Sequence, residues 1–107
     1  MIFLAPGQID QAADAELNRV YKQVRQRHAS DKTFLRRLQS AQQAWLRYRD
    51  AELLARYPEP PRSYGSGFPV CRAALLAELT RERTTRLKRW LEPVDETDTC
   101  AGSLSQP

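Results

Sequence analysis

The chain has 107 residues, one domain's worth, and its seventeen basic and thirteen acidic residues leave a formal charge of +4. Hydrophobic residues make up 41% and charged residues 28%, which excludes global disorder, and no apolar run approaches the ~20 residues of a bilayer span. A single histidine in so short a chain also excludes a large cofactor-binding enzyme.

The charge is unevenly spread. Up to Leu91 there are seventeen bases and nine acids, a net +8, whereas Glu92 to Pro107 holds four acids and no base. A basic body can attract nucleic acid, anionic lipid or an acidic protein. The plainer reading is a set of solvated Arg-rich helices whose long stems cover apolar surface. The opening Met1–Pro6 is too short for a signal peptide and has no charged leader, so export requires a leader outside this numbering.

The first predicted helix runs from about residue 8 to 28, where Ile9, Ala13, Leu17, Val20, Tyr21 and Val24 recur at helical spacing. The second spans about 31–57. Ser30 or Asp31 can cap its start, Phe34, Leu35, Leu38, Ala41, Trp45, Tyr48 and Leu53 supply its apolar positions, and Pro58 stops it. Residues 58–69 hold four prolines and two glycines and read as a loop. The third helix spans about 69–92, begins at Pro69 and carries Val70, Ala74, Ala77, Leu79, Leu87, Trp90 and Leu91. A tail of residues 93–107 follows. No strand alternation competes, so the expected fold is all-α: one domain over 1–107, a three-helix antiparallel hairpin or bundle.

The inventory of chemistry is sparse. No catalytic set can be assembled: His28 sits at the end of the first helix, where interaction with the helix dipole is its plainest role, and Cys71 has no identifiable base. No glycine-rich phosphate loop is present, and Cys71 and Cys100 with His28 fall short of the four ligands of structural zinc, so neither cofactor nor metal is expected. By count alone the cysteines fit one disulfide or two free thiols. In the loop, Arg62, Tyr64 and Phe68 combine a cation and two aromatics with small residues, a pattern suited to anchoring in a partner's cleft. The alternative is a plain connection whose aromatic rings cap the core.

Three segments carry a resemblance: Ala13-Asp-Ala-Glu-Leu-Asn-Arg-Val-Tyr21, Ala44-Trp-Leu-Arg-Tyr-Arg-Asp-Ala-Glu52 and Leu79-Thr-Arg-Glu-Arg-Thr-Thr-Arg-Leu87. In order and spacing they resemble the three blocks of the LprI-type lysozyme-inhibitor family, and together they cover most of residues 10–92. The pattern W-x-x-Y-R-D-x-E followed by L-T-x-x-R-T-x-x-L is not a generic helix pattern. The resemblance implies a small exported helical domain of bacterial envelopes, periplasmic or secreted. It also implies a protein partner, a lysozyme or another peptidoglycan-degrading enzyme. The chain departs from the family where relatives carry a cysteine soon after the second block, here Leu53, and where they carry one before the first helix, here residues 4–8. With those partners missing, the resemblance implies a bridge between Cys71 and Cys100 in an oxidising compartment.

The polar residues of the blocks share helix faces: Asp14 with Asn18 and Tyr21, and Arg49 with Trp45 and Glu52, while Arg83 and Thr84 interrupt the third apolar stripe. An unpaired buried arginine is costly, so Arg49 or Arg83 is expected to pair with Asp14, Glu16, Asp50 or Glu52 in a network fixing helix register. On that reading Arg83→Met lowers the melting temperature sharply. The same residues could instead form a recognition site. Three functions stay open: a non-catalytic inhibitor of a lysozyme or muramidase-type toxin, a basic nucleic-acid-binding module, and a structural envelope protein with no enzyme target. Nucleic-acid binding is the weaker of these, because the basic residues spread over all three helices. Chicken-type lysozymes are themselves strongly basic and repel a +8 body at long range, which favours an acidic or neutral partner.

Overall fold

The structure, a computed structural model, describes residues 6–105, with side chains from Asp10 onward. It holds three α-helices, α1 (Pro6–Arg27), α2 (Lys32–Arg56) and α3 (Phe68–Lys88), with short 3₁₀ turns at Pro61–Tyr64, Arg89–Leu91 and Gly102–Ser105. No strand occurs among the described residues. Each helix falls within a few residues of its expected span. Ile9, expected in the first stripe, lies outside the described side chains, as do the last two residues of the expected tail.

Local chemistry accounts for the breaks. Asp31 caps α2, its Oδ1 accepting from the Phe34 backbone N–H at 3.0 Å, so the turn at 28–31 ends in a ready helix start. Pro58 follows Tyr57, where α2 closes on a Tyr57 N–H donated to the Leu53 carbonyl at 2.9 Å. Gly65 has φ 81°, a left-handed conformation that glycine adopts without steric cost, and it turns the chain toward α3. Pro69 lies in the first turn of α3, where its missing N–H is harmless.

The core is built chiefly between α1 and α3. Leu17, Val20 and Val24 of α1, Leu38 of α2 and Leu87 of α3 form its buried centre, with Tyr21, Phe34, Trp45, Trp90 and Leu91 packed against them. α3 is central: Ala73, Leu75, Leu76, Ala77, Leu79, Thr80, Thr84 and Leu87 are all buried. That corrects the expected third stripe, because Val70 is 54% exposed and Ala74 is exposed as well. A helix lying between two others buries more than one face, so a single stripe misplaces its register.

α2 is the lightly held element. Only Leu38 is buried on it, and Leu46, Tyr48 and Leu54 are exposed. The molecule is accordingly long, 51 × 32 × 24 Å. Its radius of gyration is 16.9 Å, against about 13 Å for a compact domain of this length.

Candidate functional site

Polar residues tie α2 to its neighbours where apolar contacts are few. Arg49 Nη1 donates to Asp14 Oδ1 of α1 at 3.3 Å and to Thr80 Oγ1 of α3 at 3.4 Å. The Arg49 guanidinium also sits 5.3 Å from the centre of the Trp45 ring and 3.8 Å from Asp50. Arg49 therefore bridges all three helices. Thr84, the buried hydroxyl one turn further along α3, donates to the Thr80 carbonyl at 3.0 Å. Glu52 takes no part with Arg49; it accepts from the Tyr48 hydroxyl at 2.8 Å, which holds that phenol's pKa above its ordinary value. Glu16 goes instead to Lys88 Nζ at 3.0 Å, and the ammonium lowers the carboxyl's pKa.

Arg83 stands apart. Its Nε donates to Gln42 Oε1 of α2 at 2.9 Å, and no carboxylate lies within ion-pair distance among the described residues. Its Nη2 is buried with no hydrogen-bond partner, and desolvation is the main reason its pKa is lowered. Gln42, Thr80 and Lys88 are the network members absent from the expected set. Gln42 was legible in principle, since Leu38, Gln42, Trp45 and Arg49 fall on one helix face at intervals of four, three and four.

Arg83 lies in the wall of an open groove of about 1220 Å³ between α2, the C-terminal half of α3 and the folded-back tail. Trp45 and Tyr48 line its α2 side, Arg83 and Arg86 its α3 side, and Arg89 and Trp90 its end. The tail forms the remaining wall. Ala101 is buried, and Ser103 Oγ accepts from Trp90 Nε1 at 3.0 Å.

That tail position corrects the expected bridge. Cys71 and Cys100 are both free and exposed. Cys71 sits in the first turns of α3, and Cys100 precedes Ala101 at the helix's far end, about 25 Å away along the axis at ~1.5 Å per residue. A disulfide needs Cα atoms within ~7 Å. The tail folds back only as far as the C-terminal half of α3, docking on Trp90, so the cysteines stay apart.

The loop residues are also differently employed. Tyr64 and Phe68 stack at 5.3 Å, each meets Tyr57 edge-on at 5.3 and 5.2 Å, and Tyr64 Oη accepts from the Glu59 backbone N–H at 2.8 Å. Both rings are half-buried and close the α2–α3 corner, which leaves Arg62 as the exposed member of the trio.

His28 is likewise corrected. It is 1% exposed, its ring lies 4.3 Å from Phe34, and its Nε2 has no partner. Burial lowers its pKa, which favours a neutral core imidazole over a cation at the helix dipole. Among the described residues no cluster of three metal-ligating side chains occurs.

The three helices, the α2–α3 groove and the arginines of the second and third blocks thus define a small all-α domain with an open polar and aromatic groove. The family described as lysozyme inhibitor LprI matches residues 7–87, and the chain belongs to it. The chain is also similar to an uncharacterised protein of Rhizobium meliloti (strain 1021), at 38% identity over 78% of this chain and 67% of that protein. No solved structure matches it. No helix among the described residues is long and apolar enough to cross a membrane.

Proposed function

We propose that the chain is an exported protein of the bacterial envelope, periplasmic or secreted, that binds and inhibits a peptidoglycan-degrading enzyme, a lysozyme or a muramidase-type toxin. It acts by surface contact and performs no chemistry. The observation that carries this reading is its membership of the lysozyme-inhibitor family over residues 7–87. Two features support it. The lone histidine is buried in the core and unavailable as a surface base, and the α2–α3 groove is lined by tryptophan, tyrosine and arginine, the residue types that dominate binding energy at protein interfaces.

The test is a lytic assay on cell-wall suspensions, with the purified chain titrated against chicken-type, goose-type and invertebrate-type lysozymes. Inhibition that saturates at a fixed molar ratio with one class is the expected result. Undiminished lysis by all three at molar excess contradicts it.

A further inference from the structure

We propose that the groove between α2 and the C-terminal half of α3 is the partner-docking surface, and that its occupant is an exposed acidic segment of a protein whose carboxylate is received by Arg83 and Arg86. The proposal rests on the inhibitor reading for the kind of partner, and on the groove itself for the chemistry of the contact.

The other cations that tie the helices together have counter-charges: Arg49 has Asp14 at 3.3 Å and Lys88 has Glu16 at 3.0 Å. Arg83 is half-buried yet bonded only to the neutral Gln42, with no carboxylate within ion-pair distance among the described residues. Burial disfavours its charged form, with Tyr21 opposing and the neighbouring Arg86 cation adding to the effect. A desolvated guanidinium without a counter-ion costs folding energy, whereas a carboxylate from outside converts it into a charge-assisted pair. The uncompensated cation is therefore the mark of a counter-charge supplied by the ligand.

The surroundings narrow that ligand. Arg86 and Arg89 line the same groove, exposed and without an ion pair among the described residues, and with Arg83 they outnumber its carboxylates, Glu82 and Glu92. Trp45, Tyr48 and Trp90 flank them as large surfaces for an apolar side chain. Arginines among tryptophan and tyrosine compose an interface hot spot, which favours a protein segment over a bare anion. The net charge of +4 adds a modest long-range attraction for an acidic partner.

Both tryptophans of the chain line the groove, so its intrinsic fluorescence reports occupancy directly. The full chain is titrated with a tryptophan-free peptide of alternating glutamate and leucine, with its glutamine counterpart, and with a neutral N-acetylglucosamine oligomer. The expected result is a saturable change with the acidic peptide alone, weakened about tenfold or more by Arg86→Glu, an exposed substitution. Arg83→Met is expected to lose the response while keeping its melting transition. Four results overturn the proposal: no saturable response to the acidic peptide, an equal response to the glutamine peptide, a response to the oligosaccharide alone, or wild-type affinity in Arg86→Glu.

Parallel lytic assays separate this proposal from the inhibitor reading. Acidic-peptide binding with no lysozyme inhibited supports the groove and contradicts the inhibitor reading. Inhibition undiminished by Arg86→Glu does the reverse.

Discussion

His28 is the most deeply buried titratable side chain among the described residues, and its position has a pH signature. Burial lowers its folded-state pKa, with Arg27 adding to the effect and Asp31 opposing it. The unfolded chain binds a proton near the ordinary value of about 6.5, while the folded chain resists until lower pH. Between those values the unfolded state holds more protons, so stability is complete above pH ~6.5 and declines as the pH falls below it. Denaturant unfolding at a series of pH values should show this decline, and His28→Leu should flatten it. An identical slope in the variant contradicts the assignment. Arg49 and Arg83 make an opposed pair at the same scale. Arg49 loses bonds to two helices when replaced by methionine, and with Asp14 half-exposed the expected destabilisation is about 1–2 kcal/mol. Arg83 has no carboxylate to lose, so Arg83→Met should leave stability within about 1 kcal/mol of wild type. That reverses the sharp loss expected when both arginines are assumed to pair. A steep fall in the Arg83→Met melting temperature contradicts this reading of the site.

At the scale of the elements, the helices were legible because each boundary has local chemistry: Asp31, Pro58 and Pro69 act within one turn of where they stand. Removing one such signal should cost what a cap is worth. Asp31→Ala is expected to destabilise by about 1 kcal/mol, a drop of about 4–8 °C in thermal midpoint for a domain of this size. A midpoint shift near zero would mean that the turn is set by His28 and Phe34 packing rather than by the cap. Burial was less legible than the elements. The α1 stripe of Ala13, Leu17, Val20 and Val24 is buried as its spacing implies. α3 departs because two helices cover it, and α2 departs because its inward face is largely polar, leaving Ala41 and Tyr48 of the expected stripe exposed. Periodicity identifies which residues share a face, but not how many neighbours the helix will have.

At the scale of the whole molecule, the tail decides what the ends of the domain do. Trp90 Nε1 bonded to Ser103 and the buried Ala101 hold it against the end of α3, which completes the groove and keeps Cys100 far from Cys71. No local signal in the tail specifies that docking, and this is why the cysteine pairing and the groove wall both escaped a reading by motif. The thiol state follows: in the native protein both cysteines should react with a thiol-specific chromogenic reagent at the rate of exposed thiols. Failure of either to react without reduction would mean that a bridge forms after all. The groove combines tail, α2 and α3 across long stretches of sequence, yet Arg83 and Arg86 belong to the third of the blocks that mark the family.

The most direct test of the account is a calorimetric titration of the full chain into each lysozyme class at physiological ionic strength. A saturable isotherm with one-to-one stoichiometry for at least one class, weakening as salt is raised, is the predicted result. No heat of binding with any class, at concentrations where weak complexes saturate, would contradict the claim that this domain works by capturing such an enzyme.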